Sequence, residues 1–183
     1  DDGKISGDPS YKTVLESEDE KKLNEAKILL GTGNGFELDK NVTRAEAAAL
    51  MLRIYPGTLG ALGAMKPEFS DIDGHWAYKE ICTAKKLGII HGVTSDTFEP
   101  ERNVTGKEMA KMLLCVLGYD DATTENIENY AKDTFDLCTD ITKKLSASDE
   151  FAKRGECAVM ICDIMNLKAK DGEVFYKKLA QIN

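Results

Sequence analysis

Phe98-Glu-Pro-Glu-Arg-Asn-Val-Thr-Gly-Lys-Glu108 and Phe36-Glu-Leu-Asp-Lys-Asn-Val-Thr-Arg-Ala-Glu46 are two readings of one pattern. The Phe, the first Glu, the Asn-Val-Thr run and the last Glu coincide at a constant offset of 62 residues. The residues that follow keep that offset. Ala47, Leu50, Met51 and Ile54 fall on Met109, Met112, Leu113 and Val116, an i, i+3, i+4, i+7 stripe in both copies. Each stripe is introduced by Thr-x-x-Glu. Thr43 and Thr105 can accept from the amide three residues on, while Glu46 and Glu108 reach back to the amide of the cap residue. The decisive element is therefore an amphipathic helix with a capping box, present at least twice.

Working outward, a third and weaker copy lies 48 residues after the second. Lys153-Arg-Gly-Glu156 occupies the capping position, and Cys157, Met160, Ile161 and Ile164 repeat the stripe. Lysine carries no acceptor, so half of that box is missing. Each capped helix is preceded by an earlier one. In the first copy Ser17 to Glu20 opens a helix with Leu23, Ala26 and Leu30 on its apolar side. In the second, Asp73 can cap a helix from about His75 to Leu87, with Ala77, Ile81, Ala84 and Leu87 on one face and Gly88 ending it. In the third, Thr124 precedes Ile127, Tyr130, Ala131, Thr134 and Cys138.

The two helices of a copy are joined by a turn, Gly31-Thr-Gly-Asn-Gly35 in the first and Gly92-Val-Thr-Ser-Asp96 in the second. Neither follows a strand or fits a phosphate-loop pattern, so a helix-loop-helix turn is the better reading. One such unit cannot bury both of its apolar faces, but three stacked units can. The expected organisation is all-α, with units at 1–60, 66–120 and 121–168. An amphipathic segment at 169–183 carries Val174, Phe175, Leu179 and Ile182 on its apolar side and covers one end of the bundle.

Composition narrows the function. The net charge of -8 disfavours nonspecific nucleic-acid binding, which needs dense Lys and Arg. No apolar run approaches the ~20 residues of a membrane helix, so membrane insertion is not expected. The chain opens at Asp1-Asp2-Gly3, as a mature secreted protein or a trimmed chain would. The five cysteines are odd in number, lack any Cys-x-x-Cys, and read as free, buried thiols. With only His75 and His91, no metal site, cofactor site or nucleophile–base pair is legible. Among 32 acidic residues no motif singles out a catalytic pair, so no catalytic residue is assigned.

Phe69-Ser-Asp-Ile-Asp-Gly-His-Trp76, Leu87-Gly-Ile-Ile-His-Gly92, Thr97-Phe-Glu-Pro100 and Asn103-Val-Thr105, together with Val42-Thr-Arg-Ala-Glu46, resemble the repeats of the S-layer homology family. The resemblance covers roughly residues 10–168 and is strongest in the second copy. It implies a pseudo-threefold helical spindle of three repeats. It also implies a non-catalytic, extracellular module on the wall of a Gram-positive-type bacterium. Such a module binds a secondary cell-wall polymer attached to peptidoglycan, often a polysaccharide with a pyruvylated amino sugar, in grooves between repeats. The segment after the third repeat is similar to chains that continue into further extracellular domains. By position, Arg44 inherits the family's main contact to the acidic sugar, and Arg154 matches it in the third repeat. In the second repeat the position is Gly106, with Lys107 beside it, so that groove is either damaged or uses the lysine instead.

Arginine suits the task, because its fork holds a carboxylate with two bonds. Its place in the first helical turn opposes the helix dipole, which hints at a use beyond stability. Trp76 either stacks on a sugar face or anchors its helix in the core. Asp71 either shapes the chain or accepts from sugar hydroxyls. Two departures weaken an ideal anchor: the Arg is absent at Gly106, and no Trp appears in the other two repeats. A structural or protein-interaction module with a decayed sugar site is the alternative.

Overall fold

The computed structural model describes residues 37–56, 68–119 and 127–180. Among them seven helices occur in chain order: α1 Arg44–Arg53, α2 Tyr78–Lys86, α3 Gly106–Val116, α4 Ile127–Phe135, α5 Asp140–Ser146, α6 Arg154–Met165 and α7 Phe175–Ala180. Extended backbone among the described residues is limited to isolated bridges, so the architecture is all-α. The helix expected after Ser17 and the turn Gly31–Gly35 lie outside the described residues. So do the Thr124 cap and the side chains of Ile127, Leu179 and Ile182.

The three capped helices α1, α3 and α6 start as their sequences require. Thr43 Oγ1 accepts from the Glu46 amide at 3.2 Å, and Glu46 Oε2 accepts from the Thr43 amide at 2.9 Å. Thr105 and Glu108 repeat this at 3.3 and 2.9 Å. At α6 only the glutamate half exists, with the Lys153 amide donating to Glu156 Oε2 at 2.8 Å.

The links before these helices close on one another. The Val42 amide donates to the Ala152 carbonyl, the Ala152 amide to Val104, and the Val104 amide to Val42, at 3.0, 2.9 and 2.9 Å. All three side chains are fully buried. The same ring supplies acceptors for helix-terminal amides, which have no partner within their own helix. The Arg44 amide donates to Arg102 O, that of Gly106 to Glu150 O, and that of Arg154 to Lys40 O. The amides of Val42, Val104 and Ala152 are thus paired although their residues are buried.

Above the ring the apolar faces merge into one core. Helix α1 packs on α2 and α3, α3 also on α4, α5 and α6, and α6 on α5 and α7. Met51, Ile54, Met109, Leu113, Met160, Ile161 and Ile164 are essentially inaccessible. Helix α6 is buried on nearly every side, as its apolar composition demands. At the chain's end, Phe175 is fully buried and Val174 bridges to Lys168, so the covering segment is helical from Phe175 only.

Two details depart from the sequence expectations, and a third decides between two that were open. Helix α2 begins at Tyr78 and has no side-chain cap from Asp73. Instead His75 Nδ1 accepts from the Ala77 amide at 3.1 Å. The helix expected to run through Cys138 breaks after Phe135, and a separate α5 begins behind Thr139. Thr139 Oγ1 accepts from the Thr142 amide, and its own amide and hydroxyl both donate to Asp163 Oδ2 of α6, at 3.0 and 2.7 Å. Lastly, Trp76 is 61% exposed and anchors nothing in the core.

Candidate functional site

Thr43 fixes the start of α1 and so places Arg44 in its first turn, at the junction with the segment that leads into α3. The side chain is drawn inward. Its Nε donates to the Phe98 carbonyl at 2.8 Å, Nη1 to Glu108 Oε1 at 2.7 Å and Nη2 to the His91 carbonyl at 2.9 Å. The guanidinium lies 4.5 Å from the centroid of the Phe98 ring, within cation–π range. Arg44 is only 3% exposed. Burial pulls its pKa down, against the opposing influence of Glu108, though a guanidinium stays charged throughout the ordinary pH range.

Glu108 has two duties: it completes the α3 capping box and accepts from two arginines, Arg44 and Arg102, the latter at 2.7 Å from Oε1. Burial works against its ionisation. The Arg102 bonds, the Thr105 amide and nearby Arg44 more than offset this, so its pKa falls below the ordinary value. Arg102 is held further by Glu99 Oε2 at 2.8 Å.

Over this ion cluster opens a cleft of about 460 Å³. Ile89, Ile90, Val93 and Met112 form apolar walls, and Arg44, Arg102, Lys107 and Lys111 supply positive charge against Glu108 and Asp149. The loop can form one wall because residue 92 is glycine: a Cβ there would stand 2.2 Å from Thr94 O and 2.6 Å from the Phe69 ring. His91, also in the wall, has its pKa lowered by burial and by Lys111 and Lys85.

Of the residues singled out by sequence, Arg44 and Lys107 share this cleft; Arg154, Trp76 and Asp71 do not line it. Lys107 pairs with Asp149 at 3.2 Å. Arg154 stands 3.8 Å from Glu46, a looser counterpart of the Arg44–Glu108 pair. Trp76 lies on the surface beside His75, ring centroids 5.5 Å apart, and His75 Nε2 is 2.6 Å from Glu101. Asp71 accepts from the amides of Phe98 and Glu99, bracing a turn in which Glu99 has φ +58°. Glu37, its counterpart at the 62-residue offset, has φ 46°.

Gly106 has a steric reason. A Cβ there would lie 2.1 Å from Leu145 O and 2.8 Å from Leu145 Cδ1. The end of α5 fills the space that an arginine side chain would cross. Sequence reasoning missed Arg102, Lys111 and His91 as cleft residues. The four-residue spacing of Lys107 and Lys111 on one helix face was the available signal for the lysine.

The family model for the S-layer homology domain matches residues 21–48 and 68–110. The chain is 30% identical over 92 residues to an S-layer protein of Bacillus thuringiensis subsp. finitimus, covering 50% of this chain and 11% of that one. It is 31% identical over 96 residues to a cellulosome-anchoring protein of Acetivibrio thermocellus, covering 51% and 22%. It is also 33% identical over 100 residues to an endoglucanase of a Bacillus species, covering 54% and 10%. This chain thus spans between 10% and 22% of the length of these relatives. Residues 21–48 and 68–110 of this chain are thus S-layer homology domain sequence, and its relatives include S-layer proteins.

Proposed function

We propose that this chain is a non-catalytic module that anchors a protein at the bacterial cell surface. Its ligand is an acidic secondary polymer of a Gram-positive-type wall, such as one with a pyruvylated sugar, held in a cleft between repeats. The observation that carries this reading is the Arg44 cleft. In a chain of net charge -8, four cationic side chains and an apolar wall converge on one concavity. An anionic ligand must be recognised by such local charge, because the overall field repels it. The relatives support the anchoring part. An S-layer protein, a cellulosome-anchoring protein and an endoglucanase each match about half of this chain, as expected of a module that carries no chemistry of its own. The closed ring of links at Val42, Val104 and Ala152 supports three repeats as the organising unit.

The same structure favours a second reading at one point. The tight fit of Gly106 against Leu145 removes one arginine position. A scaffold that meets another protein would keep the fold and lose such sites.

Cosedimentation with peptidoglycan sacculi, before and after hydrofluoric acid removes secondary polymers, separates the two. The anchor reading expects pelleting with untreated sacculi and none after stripping. Failure to pellet with untreated sacculi overturns it in favour of the scaffold.

A further inference from the structure

Within the Arg44 cleft the charges are unequally compensated. Arg44 and Arg102 both bond to Glu108 Oε1 at 2.7 Å, Arg102 also bonds to Glu99, and Lys107 pairs with Asp149. Lys111 is half-buried, and among the described residues no carboxylate pairs with it. It stands one helical turn beyond Lys107 on the same face of α3, a like-charge spacing that costs helix stability. It also lines the cleft beside His91, whose pKa is lowered first by burial and then by Lys111 and Lys85. A local rule broken without compensation inside the protein marks a place where something outside supplies it. Arg44, by contrast, already has three of its N–H groups engaged by protein acceptors and presents almost no surface.

We infer that Lys111 is the residue that reads the anionic group in this cleft, while Arg44 is a positioning residue that clamps the cleft wall in place. This rests on the anchoring reading above and adds a specificity-determining side chain to it. Lys111 offers a compact ammonium with three donors beside the apolar surface of Ile90, Val93 and Met112. The group it fits is one anionic oxygen cluster, carboxylate or phosphate, carried on a partly apolar residue of the polymer. Glu108 and Asp149 are already committed to other cations, so they sharpen the preference by repelling an anion placed anywhere but at Lys111.

The test is the cosedimentation isotherm of the 183-residue chain on untreated sacculi, comparing Lys111→Ala, Lys111→Arg and Lys79→Ala with the unaltered chain. Because residue 111 is half-exposed, circular dichroism is expected to show all three folded. Removing one charge-assisted bond weakens binding roughly tenfold or more, so Lys111→Ala is expected to lose that much. Lys111→Arg should retain binding, and Lys79→Ala, at an exposed lysine of α2 outside the cleft, should leave it unchanged. Equal binding by Lys111→Ala and the unaltered chain overturns this inference and leaves the anchoring reading intact. Absence of binding by the unaltered chain overturns both. On sacculi that bind, repeating the isotherm after enzymatic removal of phosphate groups tells the two anions apart: unchanged binding identifies a carboxylate, lost binding a phosphate.

Discussion

Arg44 Nη1 meets Glu108 Oε1 at 2.7 Å, joining the first turn of α1 to the first turn of α3 across 64 residues of sequence. The glutamate that completes one helix's capping box is thereby the anchor for the other helix's arginine. A single carboxylate couples the start of α3 to the placement of α1.

Removing the arginine is expected to cost stability before it costs binding. Arg44→Ala leaves the Phe98 and His91 carbonyls without their donor, and should destabilise the fold by about 2–3 kcal/mol. Arg44→Lys should recover only part of this, since an ammonium cannot reproduce the three-way fork. Urea denaturation of the two variants checks both statements.

Glu108 gives the fold an acid limb. Its folded pKa lies below the ordinary 4.5, so its contribution is present above that value and is lost as pH falls through the folded pKa. Melting temperature should therefore decline on acidification below about pH 4.5, the region where this linkage operates. The decline should be shallower in Glu108→Gln, which starts from lower stability at neutral pH.

Gly106 should tolerate no side chain. Gly106→Ala forces a Cβ toward Leu145 O, and overpacking of this kind typically costs about 1–3 kcal/mol. Thermal unfolding checks the cost. Gly106→Arg should lower the melting temperature further and add no affinity for sacculi, as read by cosedimentation.

Trp76 is the sole tryptophan, which makes its surroundings directly readable. Being 61% exposed, it should emit as a solvated indole and be quenched readily by iodide. Trp76→Ala should shift stability by no more than about 0.5 kcal/mol, as surface changes do.

The five thiols are free and buried. Burial raises the Cys138 thiol to about 12 and pushes Cys157 up as well, so neither offers a thiolate at mild pH. A disulfide-exchange reagent should label few of the five in the native chain and all of them after denaturation.

What the sequence by itself determined is local. Thr43 with Glu46 and Thr105 with Glu108 are three residues apart, and their apolar stripes follow at helical spacing. Neighbouring residues therefore contain the whole reason for α1 and α3. Gly88 likewise ends α2 through its own left-handed conformation, φ +72°. The tertiary structure decided the rest. The break between α4 and α5 depends on Asp163, more than twenty residues away, receiving the Thr139 hydroxyl. The absence of arginine at position 106 depends on where Leu145 comes to rest. Arg44 looks in sequence like an exposed cation opposed to its helix dipole. It becomes a buried clamp because Phe98, His91 and Glu108 converge on it from 47 to 64 residues away. Periodicity and caps report which residues face inward and where helices start. Which distant carbonyl or carboxylate a side chain meets there is set only when the units close on one another.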